Sequence, residues 1–250
     1  MTISTIDESQ SKAAKVVGLA YLLALPPAIF AEFYVRAKLV NFDNTAQIAL
    51  NIVAHERLFR LGIASNLTVF AVDVVLFTAL FIVLKPVNRS VALLAMAWGL
   101  IETAILVVVT LNDFSVLRIL SGAGYLQAFD ADRLQALARL SISAHYDAYG
   151  VGLVFAGLRS TAFCYLWFKS CYIPRALAAW GMTASFLMGA CAFSLICFPE
   201  IAKVVNVVIY GGPIFLFEVA MGLWLLLRPL RPSEMAAPGK MGGSSQIGAS

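Results

Sequence analysis

Long, unbroken apolar runs dominate the chain and alternate with short polar segments. Six runs reach the roughly 20 residues that a helix needs to span about 30 Å of hydrocarbon. They cover residues 16–35, 61–84, 91–111, 148–168, 176–198 and 204–227. The runs are continuously apolar rather than alternating, which favours helices over the strands of a barrel. We therefore predict an all-α fold, a polytopic transmembrane helix bundle whose six spans form one domain over residues 16–228.

The polar segments between the runs predict the orientation of the bundle. Short basic turns at 85–89, 169–175 and 228–231 fall on the same side as Lys12 and Lys15 if the spans number six. The positive-inside rule then places both termini in the cytoplasm. Residues 1–15 become a cytoplasmic N-terminal segment, and the Pro-, Gly- and Ser-rich residues 229–250 become a disordered cytoplasmic tail. The first run lacks a small-x-small cleavage site, so we interpret it as a retained span.

Two loops on the opposite, outer side carry the pattern of short interfacial helices. Asp43 or Asn44 is placed to cap the first helix, and Asp130 is placed to cap the second. The residues that recur at helical spacing are Ile48, Ile52, His55 and Phe59 in the first loop, and Leu134, Leu137 and Ala138 in the second. We expect both helices to lie flat on the membrane or to cover the mouth of a cavity.

Small residues predict close helix packing in the fifth span, and a glycine–proline break predicts an irregularity in the sixth. Gly181, Ser185 and Gly189 recur every fourth residue, a spacing that lets helices approach closely. That face can pack within the chain or form the interface of a homo-oligomer. The break at 211–213, Gly-Gly-Pro, predicts either a plain proline kink or a local unwinding of the sixth helix.

Composition agrees with a bilayer as the solvent. Of the 250 residues, 61% are hydrophobic and 13% are charged, whereas soluble domains carry roughly 25% charged residues. The net charge of +4 is small. We therefore interpret the basic residues as topology signals and expect lipid, not nucleic acid, as the partner of this surface.

Four ionisable residues lie near the middle of four different runs, namely Asp73, Glu102, Arg159 and Glu218. Placing such a group in hydrocarbon costs at least ~2.5–3.5 kcal/mol, so each needs a partner or a task. Three acids against one arginine leave two negative charges, and one guanidinium can pair with one or two carboxylates. At least one acid is then expected to hold a proton. The four residues are candidates for binding a proton, a cation or a small molecule.

A second set of candidates lies at the outer ends of the spans: Glu32, His55, Arg57, Arg60, His145 and Asp147. Glu32 is spaced to pair with Arg36 across one helical turn. Asp113 follows the third run and is assigned to an outer loop. If the helix ends converge, they form an outer mouth with two histidines that titrate near neutral pH. The ordinary alternative is a set of interfacial charges that snorkel to water.

Catalytic and metal-binding templates are missing from the sequence. There is no GxSxG, P-loop or HExxH motif, no histidine inside a run and no CxxC pair among the four cysteines. We therefore expect no metal and no cofactor. Three hypotheses stay open: a small carrier or proton- or cation-linked ligand-binding protein, a non-catalytic scaffold or accessory subunit with structural ion pairs, and an outer-face enzyme using His55, His145 and Asp147.

Several short segments in order resemble the bacterial family of domain of unknown function 4386, from about Lys12 to Arg228. The segments are Arg57-Leu58-Phe59-Arg60 with downstream Asp73, the turn from Leu84 to Arg89, Gly152-Leu153 followed by Gly157, Tyr165-Leu166, Ile173-Pro174-Arg175, and Glu218 leading into Leu223-Trp224-Leu225-Leu226. The resemblance implies a multi-span protein of the bacterial cytoplasmic membrane. It implies no activity and no catalytic residues.

Overall fold

The computed structural model describes residues 6–42, 44–203 and 207–230, and every regular element within these ranges is helical. We number the main helices α1 to α7. Their bounds are α1 Glu8–Leu39, α2 Thr45–Ala54, α3 Glu56–Leu84, α4 Arg89–Ile119, α5 Ala131–Ser170, α6 Arg175–Cys197 and α7 Val207–Leu227. Short 3-10 turns lie at Gly124–Leu126 and Pro199–Lys203.

Six of these helices are long and apolar enough to cross a membrane: α1 and α3 to α7. Large hydrophobic side chains such as Leu19, Leu93 and Phe186 are about half exposed or more on their outer faces. A soluble bundle would bury such faces or replace them with polar residues. The prediction of an all-α bundle with six candidate spans is confirmed.

The six long helices form a closed ring. Each packs against the next along the chain, in the order α1, α3, α4, α5, α6 and α7, and α7 packs back against α1. The short helix α2 lies outside the ring order and contacts mainly α5. A ring of this kind surrounds its own axis, so side chains from all six spans can meet in the centre.

Helix α2 is the outer helix predicted from the first loop. Asn44 caps it, accepting a hydrogen bond at Oδ1 from the backbone N–H of Gln47 over 3.1 Å; Asp43 lies outside the described residues. Ile48 and Ile52 are buried in the core, as the pattern predicted. His55 ends the helix and is exposed.

The second interfacial helix is not a separate element. Asp130 caps a helix as predicted, accepting from the N–H of Arg133 over 2.9 Å, but that helix is α5, which continues unbroken to Ser170. The segment containing Leu134, Leu137 and Ala138 is therefore the first part of the fourth span. No Gly or Pro occurs between residues 131 and 149, so nothing in the sequence ends the helix there.

The small-residue face of α6 packs inside the chain. A Cβ placed on Gly189 would lie 3.1 Å from Cα of Gly157, and Gly181 lies against Phe217 of α7. Ser185 is fully buried and its hydroxyl donates to the carbonyl of Gly181 over 2.6 Å. Neighbouring helices of the same chain contact Gly181, Ser185 and Gly189, which is the first of the two arrangements considered for this face.

The break in regular helix geometry lies in the first span and not in the last. Helix α7 continues through Pro213, so the local unwinding considered at residues 211–213 does not occur. In α1, residues Phe30–Arg36 form a π-helix that follows Pro26 and Pro27. Such wide turns are rare and occur frequently at functional sites.

Candidate binding site in the helix ring

A cavity of about 230 Å³ lies inside the ring, and all six spans contribute to its wall. Its ionisable wall residues are Tyr21, Glu32, Asp73, Glu102, His145, Tyr149, Arg159 and Glu218. The four residues singled out near the middle of the apolar runs thus line one cavity. Much of the remaining wall is apolar, including Phe70, Leu106 and Ile214.

Glu102 and Arg159 form a buried, bidentate ion pair. Nε of Arg159 donates to Oε2 of Glu102 over 2.6 Å, and Nη2 donates to Oε1 over 3.2 Å. The guanidinium carbon also lies 4.3 Å from the ring centroid of Phe77. Gly99 leaves the space for this arrangement, because a Cβ there would lie 2.6 Å from Cδ of Arg159. The positive charge of Arg159 is therefore compensated by Glu102.

Asp73 on α3 and Glu218 on α7 have no such partner. Neither carboxyl group forms a hydrogen bond or ion pair with another described residue, and both side chains are partly exposed where they line the cavity. With Glu102 paired to Arg159, these two acids are the uncompensated charges that the residue count predicted. A carboxylate in apolar surroundings is unfavourable unless it binds a proton or a cation.

A second ion-pair cluster lies at the outer end of the cavity. Arg36 donates from Nε to Oε1 of Glu32 over 3.1 Å and from Nη2 to Oδ2 of Asp113 over 2.9 Å. Nη2 also lies 3.2 Å from Nδ1 of His145. The predicted pairing of Glu32 with Arg36 is confirmed. We call Glu32, Arg36, Asp113 and His145 the outer cluster.

Asp113 was assigned to an outer loop, and this is wrong. Helix α4 extends to Ile119, and Asp113 is fully buried inside it. The polar pair Asn112-Asp113 ends the apolar run, but apolar residues resume at Phe114 and continue at helical spacing through Leu117. That resumption is the signal from which the longer helix could have been predicted.

The outer cluster is continuous with the cavity. Asn66 donates from Nδ2 to Oε1 of Glu32 over 3.2 Å, and Asn66, Glu32 and His145 all line the cavity. Asn66 lies two helical turns before Asp73 on the same face of α3. Asn66 therefore extends the outer cluster along the face of α3 that also carries Asp73.

The other outer-mouth candidates lie elsewhere. His55, Arg57 and Arg60 line a separate surface depression where α2 meets α3, and Nε of Arg60 pairs with Glu56 over 2.7 Å in the open. Asp147 is exposed. His55 therefore lines this depression, whereas His145 lines the central cavity.

Helix geometry explains this separation. His55 lies at the exposed break between α2 and α3, whereas His145 is 3% exposed. Asp147 follows His145 by two residues, which places it about 200° around α5. The residues of the outer-face enzyme hypothesis do not share a site. Among the described residues, no group of three or more His, Cys, Asp or Glu side chains could hold a metal ion.

Comparison with known proteins places the chain in a family without an assigned activity. No curated protein and no solved structure matches it. The family model described as Domain of unknown function (DUF4386) matches residues 16–228, which is most of the chain and includes all four cavity residues of the apolar runs. The chain therefore belongs to the DUF4386 family.

Proposed function

We propose that this chain is a multi-pass protein of the bacterial cytoplasmic membrane, a small carrier that binds a proton or small cation at Asp73 and Glu218. Both termini would lie in the cytoplasm. The observation that supports this proposal is the pair of carboxyl groups, on α3 and α7, that face the central cavity without an ion-pair partner among the described residues.

The scaffold alternative accounts for one half of the site. Glu102 and Arg159 form the buried, bidentate pair that would fix the rotation of α4 against α5. Asp73 and Glu218 contribute no such pair. Two acids without a partner lower the stability of the bundle and hold no helices together. Intramembrane acids of this kind mark ion and proton pathways.

The two acids lie on helices that share one neighbour in the ring. α3 and α7 do not follow one another in the ring, and each packs against α1, the span with the π-helical segment. The π-helical segment itself packs against α3, so a change in its turn would act directly on the helix that carries Asp73. Binding a cation between Asp73 and Glu218 would favour the arrangement in which the two carboxylates approach each other.

Proton flux into vesicles tests the proposal directly. Purified protein would be reconstituted with a pH-sensitive dye inside, and a valinomycin-driven potassium potential would be imposed. We expect wild-type vesicles to acidify or alkalinise faster than protein-free vesicles in at least one of sodium, potassium or choline buffer. D73N and E218Q should each reduce that rate about tenfold or more, because an amide cannot bind a proton or a cation in the same way.

Matched controls separate site chemistry from general damage. D147N and E56Q make the same chemical changes at exposed carboxylates and should retain the wild-type rate. Wild-type vesicles that behave like protein-free ones in all three buffers, or D73N and E218Q variants that retain full flux, would contradict the proposal.

A further inference from the structure

The outer cluster contains one hydrogen-bond acceptor that lacks a donor. Nδ1 of His145 lies 3.2 Å from Nη2 of Arg36 and also 3.2 Å from Oδ1 of Asp113. Oδ1 has no hydrogen-bond partner among the described residues, although Asp113 is fully buried. Buried polar atoms without a partner are rare in native proteins.

A single ring nitrogen cannot serve both neighbours at once. Arg36 has only donors, so Nδ1 bonds to it only while it carries a lone pair and no hydrogen. Asp113 as a carboxylate has only acceptors, so Nδ1 bonds to it only while it carries a hydrogen. The protonation of one atom therefore decides which of two partners the imidazole binds.

The charge of the cluster favours the protonated arrangement. Glu32 and Asp113 carry two negative charges and Arg36 carries one positive charge, which leaves one negative charge with a neutral imidazole. A proton on His145 makes the cluster neutral and supplies the missing donor to Oδ1. The other groups near the ring do not provide a cation: α5 itself contributes Tyr146 and Tyr149, α3 contributes Asn66, and α2 has no ionisable residue.

We propose that the outer cluster is a proton-binding site in which His145 accepts a proton at Nδ1 and exchanges Arg36 for Asp113 as its partner. The imidazole also lines the cavity, and Nε2 forms no hydrogen bond with a described residue. The Nε2 proton can therefore leave toward the cavity carboxylates. One proton enters at Nδ1 and one leaves from Nε2, so the ring ends neutral in the other tautomer.

This proposal rests on the proposed function in one respect only, namely that the proton released from Nε2 passes to the cavity carboxylates. Proton uptake by the cluster is measurable whether or not the protein transports anything. Conversely, the flux measured for D73N and E218Q does not decide whether His145 takes up a proton. The two proposals can therefore fail separately.

The composition of the chain makes the experiment unambiguous. The sequence holds two histidines, so the variant H55Q, purified with a histidine-free tag, leaves His145 as the only imidazole. Its ring would be labelled with ¹⁵N and its spectrum followed in lipid nanodiscs from pH 9 to pH 5. We expect Nδ1 to be unprotonated and Nε2 protonated at the alkaline end, and both nitrogens to be protonated at the acidic end.

The variant D113N, made in the H55Q background, tests whether Asp113 is the partner of the protonated ring. Its amide supplies no negative charge, so the acidic end of the pH series should show less doubly protonated imidazole than H55Q alone. D147N, which changes an exposed aspartate two residues away on α5, should leave the titration unchanged.

Two results would overturn the proposal. One is an imidazole that stays in a single neutral tautomer from pH 9 to pH 5 in the H55Q protein. The other is a titration that moves equally in D113N and D147N. If D113N does not fold, the pH series on H55Q alone still decides whether Nδ1 takes up a proton.

Discussion

Glu102 and Asp73 carry the same carboxyl group on neighbouring helices, yet their surroundings differ completely. Glu102 accepts two hydrogen bonds from Arg159 and is 6% exposed. Asp73 faces the cavity without a partner among the described residues. Removing the charge of Glu102 leaves a buried guanidinium uncompensated. Removing the charge of Asp73 instead removes the unfavourable free energy of an unpaired carboxylate in apolar surroundings. Neutralising Glu102 should therefore destabilise the fold, whereas neutralising Asp73 should not.

We predict that E102Q lowers the free energy of unfolding by about 3–5 kcal/mol, the usual cost of breaking a buried ion pair by removing one partner. D73N should leave the free energy of unfolding unchanged or raise it. Reversible unfolding in mixed detergent micelles, followed by circular dichroism, measures both. Equal losses in the two variants would mean that Asp73 is also a structural partner.

The position of Arg159 depends on Gly99. An added methyl group would lie 2.5 Å from Cδ2 of Phe77 and 2.6 Å from Cδ of Arg159, so these side chains must move. We predict that G99A costs about 1–3 kcal/mol of stability by overpacking. G150A, whose added methyl meets nothing within 4 Å, is the matched control and should raise stability by about 0.4–1 kcal/mol, because alanine restricts the unfolded chain more than glycine does.

At the scale of helices, the two features that shape the site are the length of α5 and the π-helical segment of α1. The polar residues between 131 and 147 interrupt the apolar run but not the helix, so His145 is held on a rigid element. The π-helical segment carries both Glu32 and Arg36. The outer cluster is therefore built from continuous helices and not from loops.

Helix packing at this scale depends on the close contact of α5 with α6. A methyl group on Gly157 would lie 2.7 Å from the backbone N of Gly189, and backbone atoms cannot move aside as a flexible side chain can. We predict that G157A separates these helices and lowers the thermal midpoint, again with G150A as the control. An unchanged midpoint in a thermal scan of G157A would show that the ring tolerates a wider spacing here.

At the scale of the whole molecule, the closed ring turns six separate apolar helices into a wall around a polar centre. Many large apolar side chains are exposed on the outside of the ring, while ionisable groups from several spans line the cavity. This is the arrangement in which intramembrane charges are tolerated.

Native cysteines test the orientation of the ring. Cys171 follows α5 and Cys197 ends α6, so they lie at opposite ends of one span. We predict that a membrane-impermeant maleimide labels Cys197 in intact cells and labels Cys171 only after the membrane is disrupted. Variants that retain one of the two cysteines alone give the measurement, and the reverse pattern would place the termini outside.

Much of the fold and part of the site followed from local sequence. The caps at Asn44 and Asp130 and the pairing of Glu32 with Arg36 depend on residues about one helical turn apart, and each of the six apolar spans is one continuous run of the sequence. So did the expectation that at least one acid would be left without a counter-charge, because it required only a count of the ionisable residues in the spans.

Only the tertiary structure decided which charges meet. The sequence predicts that Arg159 needs an acid, but not that Glu102 rather than Asp73 or Glu218 is its partner, because that choice depends on the order of helices in the ring and on the rotation of each. The same holds for Arg36, whose contacts with Asp113 and His145 cross 77 and 109 residues. Local periodicity determines that a helix spans and which side chains share a face; packing between helices determines what that face meets.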